Sequence, residues 1–284
     1  MKVVENLQGT LTLNNGLAIP QVGLGVYKMT DEAEANFAIQ SALRMGYRLI
    51  DTAAIYENEQ IVGQAIKESG VNREEVFLTT KVWNSDQGYD ETLKAFDTSL
   101  NKLQTNYLDL YLIHWPGKSK EKYRETWRAL EQLYSEGAVK AIGVCNFQIH
   151  HLEGLLAVCN EVPAINQIEN HPYLTQEKVR KYCQEKNIMV EAWSPIARNR
   201  LANEPTLNHI AKKHNKSVSQ IILRWHLQNG TVVIPKSIHA ERMKENSELF
   251  DFQLSLEDMK NINALNKGER IGPDPDQFEN GFAN

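Results

Sequence analysis

The stretch RLIDTAAIYENE, Arg48 to Glu59, decides the reading of this chain. Arg48, Leu49 and Ile50 close a short apolar strand, Asp51 stands at its C-terminal edge, and Tyr56 follows one loop later. Two further apolar runs close the same way: VFLTTK ends in Lys81 and YLDLYLIH ends in His114. With these strands parallel and adjacent, a carboxylate, a phenol, an ammonium and an imidazole meet on one rim. Taken singly, a strand-end aspartate is more often a turn former, a tyrosine more often packing, and a histidine more often a satisfied structural group. Convergence of all four at equivalent places reverses that balance.

Outward from this stretch the pattern alternates. Asp31 caps a helix whose Ala35, Ala38, Ile39, Ala42 and Leu43 recur at helical spacing, and Gly46 ends it. Helices are predicted at Asn58 to Ser69, Asp90 to Leu103, Lys122 to Ser135, His150 to Val158 and Gln176 to Glu185, with a longer region from Leu207 to Gln228 broken near Ser217. Strands start at Val22, Arg48, Val76, Tyr107, Val139, Ala164, Ile188 and Thr231. About eight strands, each followed by a helical pattern, predict an α/β fold, a closed (β/α)8 TIM barrel.

Ahead of the barrel, alternation around the Asn14, Asn15, Gly16 turn predicts a short N-terminal β-hairpin over about residues 9–20. No linker or composition shift divides the 284 residues, so 1–284 is expected to be one domain, ending in an irregular tail over about 267–284. A doubly wound sheet is the alternative. Its glycine fingerprint is missing, because Gly23 and Gly25 have no third glycine opening a helix, and the pair is better read as a tight strand-to-loop turn.

Composition excludes several classes. The net charge of −5 and pI near 5.9 leave no general basic footprint for nucleic acid. No run approaches the roughly 20 apolar residues of a membrane span. The start, MKVVENLQGT, lacks the features of a signal peptide. Cys145, Cys159 and Cys183 are an odd set without metal-type spacing, which favours reduced thiols, a cytoplasmic setting and no metal site.

All C-terminal strand ends of a barrel form one face, where active sites of this architecture sit. There Lys81 is expected to pair with Asp51, and a lysine against Tyr56 favours the phenolate, making the tyrosine a usable general acid. His114 is placed to donate a hydrogen bond to a carbonyl oxygen. After the last strand, IPKSIHAERMKEN sets Lys236 and Ser237 near a helix start, with Arg242 and Asn246 a turn apart along it. That arrangement suits a phosphate group on a ribose, against the plainer reading of a solvated basic helix start. Asn146, Gln167 and Trp193 each close a strand between the two sites: amides to pair with a carboxamide, and an indole face for a nicotinamide ring.

Together the segments IDTAAIYENE, TTKVW, YLDLYLIHWP, AIGVCNF, NQIENHPYLTQ, EAWSP and IPKSIHAERMKEN resemble the aldo-keto reductases over essentially the whole length. Within that family the chain looks most like small bacterial reductases of glyoxal, methylglyoxal and related short carbonyls. The resemblance implies NADPH-dependent reduction of an aldehyde or ketone, with Tyr56 as proton donor, Lys81 and Asp51 as its supporting pair, and His114 orienting the carbonyl. It also implies that Asn146 and Gln167 hold the carboxamide and that Trp193 stacks on the nicotinamide. Gly25, Val26, Tyr27, Ser194, Pro195 and Ile196 would border the cofactor; Lys236, Ser237 and Arg242 would grip the 2′-phosphate, and Glu245 and Asn246 would approach the adenine.

Two departures stand out. Cys145 occupies a position where the family commonly has serine, and Trp193 one where many members have tyrosine. The connection WPGKSKEKY after His114 is short, so an open mouth is expected, with Val26, Tyr27, Trp83, His114 and Trp115 as candidate substrate-lining residues. The expected partners are small carbonyl substrates, with no nucleic acid, no membrane and a monomeric state. A Schiff-base aldolase using Lys81 and a slowly turning-over nucleotide sensor are the competing readings.

Overall fold

The computed structural model describes residues 4–279. A hairpin of β1 (Thr10–Thr12) and β2 (Ala18–Pro20) pairs antiparallel with Leu11 opposite Ile19. Then strands and helices alternate: β3 (Leu24–Gly25), α1 (Glu32–Arg44), β4 (Leu49–Asp51), α2 (Glu59–Glu68), β5 (Phe77–Val82), α3 (Tyr89–Leu103), β6 (Leu110–Ile113), α4 (Lys120–Ser135), β7 (Ile142–Cys145) and α5 (Ile149–Leu156). They continue with β8 (Ile165–Glu169), α6 (Glu177–Glu185), β9 (Met189–Trp193), α7 (Pro205–His214), α8 (Val218–Gln228), β10 (Val232–Val233), α9 (Ala240–Ser247) and α10 (Leu256–Asn263).

Strands β3 to β10 form one eight-stranded parallel sheet in sequence order, and a parallel bridge between Val22 and Val233 closes it into the barrel. At this seam the Gly23 amide donates to the Val233 carbonyl at 2.8 Å. The two glycines are explained here. A Cβ on Gly25 would lie 2.7 Å from the Ile234 carbonyl oxygen, and one on Gly23 2.4 Å from the Leu49 side chain. The smallness of Gly25 lets the first strand close on the last, and that of Gly23 makes room for Leu49 of β4.

Side chains alternate across a strand, so every second residue faces the barrel interior. The inward stripes run from apolar to polar toward the C-terminal face: Leu49 to Asp51, Phe77 to Lys81, Leu110 to His114, Ile165 to Gln167, Met189 to Glu191. At the apolar end, Leu13 and Ile19 of the hairpin pack with Leu49, Phe77, Leu110, Leu112 and Ile165 and plug the bottom of the barrel. The outward stripes, including Ile50, Leu78, Tyr111, Ile113 and Val144, share a core with Ala38, Ile39, Val62, Phe96, Trp127 and Leu130 of the helices. Leaving that apolar surface in water would cost roughly 25 cal/mol per Å².

Local signals read from the sequence recur as caps. Asp31 accepts from the Glu34 amide at 2.9 Å. Asn215 in the left-handed region (φ 52°) ends α7, and a Ser217–Gln220 capping box starts α8, which is the physical basis of the break near Ser217. Helix α10 was not anticipated, although its capping box, Ser255 with Asp258, was a usable signal. Among the described residues no helix is long and apolar enough to cross a membrane. Residues 280–284 of the expected tail lie outside those described.

Candidate active site

At the C-terminal face the inward stripes deliver their polar ends to a cavity of about 390 Å³. Asp51 ends β4, Tyr56 ends the short 3-10 turn Ala54–Tyr56 that follows, Lys81 lies in β5, and His114 comes directly after β6. Lys81 Nζ donates to Asp51 Oδ1 at 2.6 Å and to the Thr52 carbonyl at 2.8 Å, with Lys81 fully buried. The same ammonium stands 5.2 Å from the centre of the Tyr56 ring. His114 meets Tyr56 edge-on at 5.6 Å between ring centres, and Tyr27 lies 5.0 Å from Tyr56 on the other side. The four rim residues are thus one cluster.

The electrostatics differ from expectation at one point. Burial raises the Tyr56 hydroxyl well above its ordinary value, and the attraction of Lys81 only partly offsets this because Asp51 and Cys145 push upward. The phenol is therefore firmly protonated. Burial also disfavours the charged form of Lys81, but Asp51, then Tyr56 and Cys145, outweigh it and hold the ammonium above its ordinary value. Burial raises Asp51 against the pull of Lys81 and the bond from Gln167. His114 is held well below 6.5 by burial and then by Lys81, so its imidazole is neutral, with Nδ1 buried and without a partner among the described residues.

Gln167 and Asn146 sit between these groups and Trp193. Gln167 Nε2 donates to Asp51 Oδ2 and to Glu191 Oε2, each at 2.8 Å, while its Oε1 meets only the Cys145 thiol at 3.5 Å. Asn146, at φ 64°, donates to the His114 carbonyl at 3.0 Å and to Cys145 Sγ at 3.2 Å, and accepts from Trp193 Nε1 at 2.8 Å. Its amide is engaged on both ends within the protein, so Trp193 is tethered by its edge. Glu191 was missed from the sequence: period-two alternation puts it on the same face as Trp193, but its partner Gln167 lies on another strand and no local spacing indicates that contact.

Of the other expected residues, Gly25, Tyr27, Ser194, Pro195, Ile196, Lys236 and Trp115 line the cavity. Ser237, Arg242, Glu245 and Asn246 do not: Ser237 and Asn246 are buried, and Glu245 accepts from Ser217 at the start of α8. Lys236 and Ser237 precede α9, which begins only at Ala240. Lys28 and Arg198, unremarked in the sequence, also line the cavity, and both have left-handed backbones (φ 60° and 49°).

The mouth is less open than the short connection after His114 suggested. Glu169, buried at the end of β8, accepts from the Ile271 and Gly272 amides at 2.5 and 3.1 Å and draws the tail across the barrel. There Gly272 packs so closely on Trp193 that a Cβ would fall 2.4 Å from its ring. Phe278 then covers Trp115 and Trp83, with ring centres 4.3 and 6.0 Å apart. Trp83 and Val26 are buried beside the cavity and are not among its lining residues; Trp83 backs His114 at 5.1 Å.

The cleft thus brings together a protonated phenol, a buried ammonium–carboxylate pair and a neutral imidazole, groups with the chemistry of general acid catalysis. Residues 21–267 match the model of the Aldo/keto reductase family. Glyoxal reductase of Bacillus subtilis is 57% identical over 273 residues, covering 96% of this chain and 98% of that one. Methylglyoxal reductase DkgA of Escherichia coli is 46% identical, covering 94% and 97%. A Gox0644 variant crystallised with NADPH superposes with a TM-score of 0.91 at 41% identity, covering 96% of this chain and 99% of that one. The chain belongs to the aldo/keto reductase family and is an oxidoreductase.

Proposed function

We propose that the protein reduces short aldehydes and ketones, such as glyoxal and methylglyoxal, with NADPH, and that Tyr56 is the proton donor. The observation that carries this reading is the buried Asp51–Lys81 pair set against Tyr56, with neutral His114 beside it on the cavity.

The residues present fit the cofactor. Among the described residues the Gln167 carbonyl has only a 3.5 Å thiol for company, which leaves it able to accept from a carboxamide N–H, and His114 Nδ1 and Trp115 Nε1 are buried without partners. Lys28, Arg198 and Lys236 place cations around the cleft for phosphates, and Arg242 extends that set along α9. Gly25, Tyr27 and Ser194 to Ile196 would border the dinucleotide. When bound, NADPH supplies a hydride to the carbonyl carbon.

The chain's own residues do the rest. Tyr56, kept protonated by burial, gives its proton to the oxygen as charge develops there, and Lys81 stabilises the phenolate left behind. Asp51 keeps Lys81 charged and in place. Neutral His114 donates to the carbonyl oxygen and fixes its position. Tyr27 and Trp115 wall the small pocket, with Phe278 of the tail packed against Trp115. An aldolase would need Lys81 as a free amine, and a buried ammonium raised above its ordinary value is the wrong state for that nucleophile. The same reading takes the protein as a cytoplasmic monomer.

The test is a panel of short carbonyls assayed by NADPH consumption, with NADH as comparison. Rapid oxidation of NADPH by glyoxal or methylglyoxal supports the reading; no consumption with any carbonyl overturns it.

A further inference from the structure

Under the cleft, one buried carboxyl has no place in the mechanism above. Glu191 lies in β9, fully buried, facing the barrel interior. Its Oε2 accepts from Gln167 Nε2 at 2.8 Å, and its Oε1 is buried without a partner among the described residues. The second hydrogen of the same Gln167 amide goes to Asp51 Oδ2, also at 2.8 Å. Both N–H bonds of the amide are therefore held by carboxyl groups below, and its carbonyl is the hydrogen-bonding atom left over. A flipped amide would turn that carbonyl toward Asp51 Oδ2, which is repulsive, and would take the N–H donors away from both Asp51 and Glu191. With an apolar side chain at 191, one N–H would lose its acceptor and only Asp51 would bias the amide.

We propose that Glu191 is a positioning residue for the cofactor: it clamps the Gln167 amide in the polarity that presents a carbonyl acceptor to the nicotinamide carboxamide. The proposal rests on the NADPH reading above. Glu191 acts through Gln167 and does not itself line the cavity.

A second consequence follows from charge. Asp51 from β4, Lys81 from β5 and Cys145 from β7 are the ionisable groups that act on Glu191, with Gln167 from β8 bonded to it and Val232 of β10 alongside. Burial and then Asp51 push the Glu191 carboxyl up to about 8, against Gln167 and Lys81. Cys145 stays a neutral thiol, because burial raises it well above its ordinary value. Below about 8 Glu191 carries a proton; above it, a second negative charge appears beneath the nicotinamide end of the cleft. That charge favours the cationic ring of the oxidised cofactor over the neutral reduced one.

The experiment measures binding on the whole protein, by fluorescence and calorimetry, for NADPH, NADP+ and adenosine 2′,5′-bisphosphate, which lacks the nicotinamide. Glu191→Leu should weaken NADPH by about tenfold, the value of one lost orienting contact, and leave the bisphosphate unchanged. Glu191→Gln keeps an acceptor for Gln167 and should hold NADPH affinity within about twofold of wild type. In wild type the preference for NADP+ over NADPH should rise by about threefold or more from about pH 7 to about pH 9, and in Glu191→Gln it should stay flat. Equal weakening of NADPH and bisphosphate by Glu191→Leu overturns the positioning role, as does no weakening of either. Should Glu191→Leu not fold, Glu191→Gln decides: a pH dependence equal to wild type overturns the proposal. Absence of carbonyl turnover would sink the reductase reading instead and would not alter these binding ratios.

Discussion

The ammonium of Lys81 and the carboxylate of Asp51 meet at 2.6 Å inside the barrel, both shielded from water. Such a pair recovers its desolvation cost only while both members are present. Lys81→Met should therefore destabilise the protein by about 3–5 kcal/mol, because Asp51 is left buried and uncompensated. Urea denaturation of Lys81→Met and of the double variant Asp51→Leu, Lys81→Met checks this. The double variant should recover much of the loss, and a double variant as unstable as the single one would contradict the account.

Tyr56 touches Tyr27 and His114 and is the proton donor of the proposed mechanism. Tyr56→Phe keeps the ring contacts with Tyr27 and His114 while removing the hydroxyl. Turnover should fall by about 10²–10⁴, with the Kd for NADPH little changed. Single-turnover kinetics alongside a binding titration separate the two effects.

Arg242 lies outside the cavity, so its proposed role rests on the cofactor extending along α9. Arg242→Ala should weaken NADPH by about tenfold and NADH hardly at all, as expected for a charge-assisted contact to the 2′-phosphate. Equal changes for both cofactors would remove Arg242 from that role.

His226 gives the fold an acid limit. It is fully buried, and its Nε2 faces the Pro195 carbonyl at 3.2 Å, within the loop that lines the cleft. Burial drags it to about 3, with the Pro195 bond pulling the other way. The folded value lies below the ordinary 6.5, so the unfolded chain takes up the proton first. The contribution of His226 to stability is complete above about 6.5 and is lost as pH falls toward about 3, at up to roughly 1.4 kcal/mol per pH unit. Buried His114 adds to the same fall, since it is lowered too. Denaturation midpoints measured across this range should slope less steeply in His226→Gln.

Glu169 ties the tail to the barrel through the Ile271 and Gly272 amides. Glu169→Ala should release both amides to rapid hydrogen exchange and raise KM for small carbonyls by several-fold, while leaving the Asp51–Lys81 pair intact. Unchanged protection at Ile271 and Gly272 would show that the other tail contacts, among them Phe278 on Trp115 and the Asn84 bond to the Glu279 carbonyl, hold the tail without Glu169.

By itself the sequence determined the order of elements and the barrel, because alternating periodicities and cap residues are local properties that strand and helix geometry convert directly into structure. It also pointed to the rim: Asp51, Lys81 and His114 close apolar strands, and parallel strands bring such positions to one face. The sequence did not show that Gly23 and Gly25 serve the seam, that Glu191 holds Gln167, that Lys28 and Arg198 reach the cleft, or that Glu169 draws the tail over it. Each depends on which residues face one another across the barrel, and neither spacing nor composition encodes that. The state of Tyr56 belongs with them, since the upward pull of burial exceeds the downward pull of one neighbouring ammonium only once the enclosing walls are known. Neighbourhood along the chain sets the scaffold here; desolvation and contacts across the barrel, which exist only in the folded molecule, set the chemistry.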